Sequence, residues 1–469
     1  MPKTRRDFLR LSALGAAATA LPWHSSWLGA EPPSEIEWWV THGENRMAHG
    51  LPLQWRRGTP VGEAIKLDPS QKFQQILGFG AAFTDAACYN FNQLSPSVRE
   101  QLFHELFHPS ELGLSTGRIC VGSSDYSTQA YSYDDGDPDP ALKRFSIEHD
   151  RAYILPMLRQ ARAVNPDLFL FSSPWSPPGW MKTGGSLLGG SMRKSSYASY
   201  AQYLRKFLEA YRSEGAPIQA TTVQNEVDAD QDGRMPACLW GQEYELEFVR
   251  DHLGPLLEQN KIDTKIWILD HNYNLWGRVL DQLDDSRFRK YVDAVAWHGY
   301  GGKAEMASRV HDASPGVAMH WTEGGPDYTS PDYATDWTRW SGVFTAALRN
   351  WCQSITGWNL ALDEKGRPNI GPFPCGGVVT IHSQSHEIMR SGQYWAFNHY
   401  ARKIRRGARR FLSQATLTGI DHFACENPDG QNVLILTNSG SETAVALRLG
   451  EMTADIKCPA SSVTTLVWI

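Results

Sequence analysis

The sequence predicts an α/β fold: a (β/α)8 barrel with a C-terminal β-sandwich, the sandwich completed by N-terminal strands. Three observations predict it. Eight runs are apolar on consecutive residues, as parallel strands covered on both faces require. The segments between them are long enough to hold a helix and carry helix signals. From about residue 397 the chain changes to short alternating strands punctuated by turns.

In chain order, residues 1–30 come first, where "TRRDFLRLSALGAAATALPW" places Arg5 and Arg6 ahead of an Ala-rich apolar run. This resembles a twin-arginine export signal, so export to a periplasmic or secreted location is expected, with cleavage after Ala18-Thr19-Ala20 or near Ala30. The run is too short for a stable membrane span, and nothing after residue 30 approaches that length. Residues 31–75 are expected to lend a strand or two to the sandwich.

Residues 76–396 hold the barrel, with strand runs at 76–84, 115–122, 168–176, 218–226, 264–272, 293–300, 317–325 and 356–362. Between them "SPSVREQLFHELF" opens on a Ser cap, and "SSYASYAQYLRKFLEAYRSEG" closes on Gly215. An open doubly wound sheet is the rival, but no Gly-x-Gly-x-x-Gly turn follows the first run. Residues 397–469 read as the sandwich, with turns at Pro428-Asp429-Gly430 and Asn438-Ser439-Gly440.

A net charge of -6 gives no basic field for nucleic acid. The 18 Trp supply flat apolar faces on which sugar rings can stack. Seven scattered Cys without a Cys-x-x-Cys pair describe neither a disulfide scaffold nor a zinc ribbon, and leave Cys425 with Cys458 as one conceivable pair.

Barrel enzymes build their sites at the C-terminal ends of the strands. The polar and aromatic residues there are Asp85, Trp175, Asn225, Glu226, Asp270, His298, Tyr300, Glu323, Trp358 and Asn359. Each Glu alone reads as an ordinary strand-end residue. As a pair on the fourth and seventh runs, Glu226 and Glu323 approach one mouth from opposite sides. Glycoside cleavage needs such a pair: an acid to protonate the departing oxygen and a carboxylate to attack the sugar carbon, with no metal and no organic cofactor. The adjacent amide of Asn225 suits a sugar 2-hydroxyl, whose bonds strengthen as charge develops.

The stretches "QKFQQILGFGAAFTDAA", "SPWSPPGWMKTGGSLLGG", "TTVQNE", "CLWGQEYELEFVRDHLGP", "HWTEGG" and "GWNLALDEKGRPN" occur in one order from about residue 70 onward. In them the chain resembles glycoside hydrolase family 30, the family that includes acid β-glucosylceramidase. The resemblance implies a retaining double displacement on a β-glycoside, a glycolipid or an oligo- or polysaccharide. It implies Glu226 as acid/base, Glu323 as nucleophile and Asn225 on the 2-hydroxyl. Asp85, Trp175 and Trp358 would bind the non-reducing sugar, and His298 and Tyr300 would position the carboxylates. A β-glucosidase of the glucosylceramidase kind is the first expectation and a β-1,6-glucanase the alternative. A non-catalytic sugar-binding barrel is the rival from another class, opposed by the presence of both Glu residues. After "QNE" the family commonly has Pro, where this chain has Val227 and "DADQD"; "IGPFPCGG" at 370–377 also departs, so the leaving group stays open.

"HELFH" at 104–108 matches a zinc-peptidase pattern. Its apolar stripe of Leu102, Phe103, Leu106 and Phe107 leaves His104, Glu105 and His108 on the wet face, at the barrel end away from the mouth. "HSQSHE" at 382–387 reads as a hairpin tip.

Overall fold

A computed structural model describes residues 35–60 and 62–469. The twin-arginine segment lies outside the described residues. Eight parallel strands close into a barrel: β1 Gly78–Phe83, β2 Thr116–Val121, β3 Phe169–Pro174, β4 Ala220–Thr222, β5 Lys265–Asn272, β6 Val292–His298, β7 Ala318–Glu323 and β8 Cys352–Asn359. Seven fall within a residue of their predicted runs. β8 begins earlier than residue 356 because Met319 on β7 pairs with Cys352, across a stretch where Gln353 and Ser354 break the apolar pattern. β4 has only three residues in the ladder, so the chain from Val223 to Glu226 leaves the sheet before reaching the mouth.

The barrel interior is packed and is not a pore. Phe171, Ala220, Trp267, Ala294 and Ala296 form its lower plug, with the Trp267 and His320 rings stacked 4.0 Å apart.

The sandwich is a ten-stranded sheet in the order Asn45–His49, Glu37–His42, Ser462–Trp468, Asn432–Asn438, Ile420–Glu426, Arg409–Gln414, Ala64–Gln75, Thr443–Leu449, Met452–Cys458, Arg56–Arg57. Among the described residues the N-terminal side thus contributes four strands, more than the one or two expected. The helix Gly392–Tyr400 runs across the expected boundary at 396/397, and the sandwich resumes at Arg409.

Alternation along Asn432–Asn438 shows how the two parts join. Val433 and Ile435 enter the core shared with the barrel and its helices, whereas Leu434 and Leu436 enter the core inside the sandwich. The same two-sidedness separates the suggested cysteine pair. Cys425 belongs to the shared core and Cys458 to the internal one, and all seven cysteines are free. Among the described residues no helix is long and apolar enough to cross a membrane.

Candidate active site

The segment after β4 is tied to the end of β3. Gln224 Nε2 donates to the Trp175 carbonyl at 2.6 Å, and Asn225 N donates to the Pro174 carbonyl at 2.8 Å. Glu226 then takes φ +53°, the left-handed region that side chains with a Cβ avoid, and its N–H donates to the Asp270 carbonyl at 3.0 Å. On β5, Leu269 and Asp270 also have positive φ (72° and 48°), and the register with β6 slips between Ala296 and Trp297. These irregularities turn Glu226 and Asp270 out of the strand pattern and into the mouth, and strain of this kind concentrates at functional sites.

Asp270 is the hub beneath the cavity. Its carboxylate accepts from Ser173 Oγ at 2.6 Å, Thr322 Oγ1 at 2.7 Å, Thr222 Oγ1 and Arg118 Nη2 at 2.8 Å, and lies 3.0 Å from His298 Nε2. Burial pushes its pKa up, but the Arg118 charge and the His298 bond outweigh burial and hold it well below the usual carboxylate range. Arg118, fully buried on β2, also donates to Glu323 Oε2, to Asn225 Oδ1 at 2.7 Å and, through Nε, to Ser173 Oγ at 3.1 Å. Its guanidinium carbon sits 4.7 Å from the Trp175 ring and 5.4 Å from the Trp358 ring. Those two indoles are stacked at 4.9 Å.

Glu323 Oε1 accepts from Tyr300 Oη at 3.1 Å. Half of Tyr300 is exposed (51%), yet its hydroxyl turns inward, and burial of that end with the nearby Glu323 charge raises its pKa well above the ordinary phenol value. His298 Nδ1 lies 3.4 Å from Glu226 Oε1 and 4.0 Å from Glu323 Oε1, so both carboxylates converge on one imidazole nitrogen. Burial works against a charged His298, but Glu323, Asp270 and Glu226 push its pKa up to about 9. Burial likewise raises Glu226, and the facing His298 and His271 with Gln231 bring it below its ordinary value.

A cavity of about 400 Å³ opens here. Of the residues predicted for the site, Trp175, Asn225, Glu226, Tyr300, Glu323 and Trp358 line it, with His298 bridging the two Glu residues.

Asp85 is the correction. It begins the helix Asp85–Gln93 outside the cavity lining, and its carboxylate is consumed by Thr128 N at 2.6 Å, His149 Nε2 at 2.7 Å and Tyr153 Oη at 2.7 Å. Asp125, from the loop after β2, stands in the cavity wall instead, buried, with Oδ1 free of protein hydrogen bonds. Burial, then the charges of Glu323 and Glu226, raise its pKa well above the usual carboxylate range.

Strand-end reasoning missed Asp125 because it lies past the end of β2, on a loop whose path the strand pattern does not determine. It also missed Arg118, although a lone charge within an apolar run buried on both faces was a signal. His271 and Gln231 on the Glu226 side were missed as well. The "HELFH" helix holds no cluster of ligands: His104 and His108 stack on each other at 4.4 Å, and Glu105 is paired with Arg390 and Tyr394 at 2.6 Å. That pairing makes Glu105 part-buried, not wet as expected. The 382–387 stretch does cap a hairpin between Val379–Ile381 and Ile388–Arg390.

The family model for the glycosyl hydrolase family 30 TIM-barrel domain matches residues 76–404, and that for the family's beta sandwich domain matches 407–466. The chain is 32% identical over 400 residues to an endo-1,6-beta-D-glucanase of Neurospora crassa, covering 81% of this chain and 82% of that protein. It is 29% identical over 437 residues to the lysosomal acid glucosylceramidase of Mus musculus, covering 87% and 84%. Among solved structures, SrfJ from Salmonella typhimurium superposes with a TM-score of 0.88 at 26% identity, covering 93% of this chain and 99% of that one. An endo-beta1,6-glucanase superposes with a TM-score of 0.84 at 27% identity, covering 93% and 100%. A (β/α)8 barrel with two strand-end carboxylates at one indole-walled cavity, followed by its sandwich, matches along its length: the chain belongs to glycosyl hydrolase family 30.

Proposed function

We propose that this retaining glycoside hydrolase works through Glu323 as nucleophile and Glu226 as acid/base, with a β-1,6-linked glucan as substrate. The observation that carries the roles is the convergence of both carboxylates on His298 Nδ1 at the cavity mouth. Arg118, which cannot lose its proton in a protein, donates to Glu323 Oε2 and fixes that carboxylate at the mouth. Glu323 attacks the anomeric carbon as the bond to the leaving oxygen breaks and Glu226 gives that oxygen its proton. Water then attacks the glycosyl ester, Glu226 takes a proton from it, and Glu323 leaves as carboxylate. Because Arg118 holds Asn225 Oδ1, the amide presents its N–H groups as donors to the sugar 2-hydroxyl. Asp125 offers a buried acceptor to hydroxyls farther along the same sugar, against the Trp175 and Trp358 wall.

The leaving group is argued from the Glu226 side of the mouth, where Gln231, His271 and Asn272 line the cavity. Polar side chains there suit a hydroxylated leaving sugar better than an acyl chain. Likeness to endo-1,6-beta-D-glucanases supports the same choice. Parallel assays on β-1,6-glucan and glucosylceramide test it: faster turnover of the glucan is expected, and faster turnover of the lipid would overturn the substrate while leaving the roles intact. Arg5 and Arg6 ahead of an apolar run further support export by the twin-arginine route, tested by fractionating cells that carry an Arg5→Lys, Arg6→Lys variant.

A further inference from the structure

Two histidines at the mouth are only half used by the hydrolytic roles. His271 at the end of β5 and His298 at the end of β6 are 7% and 0% exposed. His271 Nε2 lies 2.6 Å from Asp228 Oδ1, and His298 Nε2 lies 3.0 Å from Asp270 Oδ1. A carboxylate at one ring nitrogen fixes the N–H there and leaves the other nitrogen as the available ligand atom. In both rings that other atom is Nδ1, which is buried without a protein hydrogen bond. Both Nδ1 atoms face Glu226 Oε1, at 3.6 Å from His271 and 3.4 Å from His298.

We propose that His271 Nδ1, His298 Nδ1 and Glu226 Oε1 form an inhibitory site for a zinc-like divalent cation. One ligand atom from each of the three residues lies within 4.8 Å of those of the other two. Zinc with bonds near 2.0–2.1 Å in a tetrahedron places its ligand atoms roughly 3.4 Å apart, so small side-chain adjustments close the site. Two imidazoles and one carboxylate select zinc, copper or nickel over magnesium and calcium, which prefer all-oxygen shells. Asp228 and Asp270 supply the carboxylate behind each imidazole that orients such ligands. The carboxylates of Glu226, Asp228, Asp270 and Glu323, against the guanidinium of Arg118, leave this group of residues anionic. The fourth position opens onto the cavity, to water or a sugar hydroxyl.

Any proton on His298 Nδ1 leaves to solvent as the ion binds. Glu226 Oε1 is then occupied and cannot carry a proton to a leaving group, so hydrolysis stops until a chelator removes the ion. Asp228 comes from the acidic stretch that follows Glu226 where the family commonly continues with Pro, so the oriented His271 depends on that departure.

The inhibitory meaning rests on the role of Glu226 proposed above; the binding itself does not. Titration calorimetry of the whole enzyme with zinc chloride, beside β-1,6-glucan turnover, tests both. One ion per chain is expected, with inhibition reversed by EDTA and no effect of magnesium at equal concentration. Asp228→Asn should weaken zinc roughly 10- to 100-fold, as loss of a ligand-orienting carboxylate does, and His271→Asn by at least as much. Anomalous diffraction at the zinc edge of the wild-type enzyme locates the ion without any variant. No zinc uptake, scattering elsewhere, or affinity unchanged in both variants would overturn the site. Zinc bound here by a chain that cleaves no glycoside would keep the site and remove only its inhibitory meaning.

Discussion

Arg118 and Glu323 sit on β2 and β7, strands that are not neighbours, yet Nη1 of one donates directly to Oε2 of the other inside the barrel mouth. The same guanidinium binds Asp270, so one buried cation serves two carboxylates. Removing one partner from a buried ion cluster costs about 3–5 kcal/mol, because the remaining charges lose compensation. Arg118→Met should therefore lower the unfolding free energy by about that amount in urea titrations. Arg118→Lys keeps the charge but not the fork, and should recover part of the stability while kcat/KM stays depressed. Wild-type stability in the Met variant would show that the cluster is not holding the mouth together.

Asp125 and Asp85 give opposite expectations. Asp125→Asn should lower kcat/KM about 10- to 100-fold, since loss of a buried carboxyl's hydrogen bonds to sugar hydroxyls costs about 1–3 kcal/mol, with little change in Tm. Asp85→Asn strips an acceptor from His149, Tyr153 and Thr128 and should lower stability by about 1–3 kcal/mol while the folded enzyme keeps most of its kcat/KM. The reverse order would return Asp85 to the sugar site.

The contrast shows what could be read from the chain alone. Strands buried on both faces announce themselves by consecutive apolar residues, and their ends marked Glu226 and Glu323 without any contact being known. Asp85 follows a strand end as closely as Glu226 does, but a helix starts there and carries it away from the mouth. Asp125 reaches the mouth by a loop, and loop paths follow tertiary contacts such as Tyr126 Oη to the Phe373 carbonyl at 2.7 Å. The sandwich strand Ala64–Gln75 was similarly obscured, since register shifts against Arg409–Gln414 break its alternation. Cys425 and Cys458 looked like partners only while the faces of their strands were unknown.

Stability should also depend on pH through Asp336, which precedes the helix Trp337–Arg349. Its Oδ2 accepts from Trp340 Nε1 at 2.9 Å, its Oδ1 is buried without a partner, and burial raises its pKa to about 7 despite Arg339 and Trp340. The folded value exceeds the unfolded value of about 3.9, so the fold holds the proton more tightly. The contribution of this group to stability is therefore full below about pH 4, falls as pH rises toward 7 and levels off above, by about 4 kcal/mol. Asp336→Asn keeps an acceptor for Trp340 and should flatten that slope in urea unfolding at pH 5 and pH 8. An unchanged slope would place the titrating group elsewhere.

Glu226→Gln should slow turnover of unactivated β-glycosides roughly 10²- to 10⁴-fold. Substrates whose leaving group departs without protonation should lose far less in the first step. Equal losses on both kinds of substrate would remove the acid role.

Covalent trapping separates the nucleophile from the acid/base of this pair. A 2-deoxy-2-fluoro-β-glucoside with an activated leaving group should inactivate the enzyme, and peptide mapping by mass spectrometry should place one fluoroglucosyl group on Glu323. A label on Glu226 or any other residue, or steady hydrolysis without a trapped ester, would show that Glu323 is not the nucleophile.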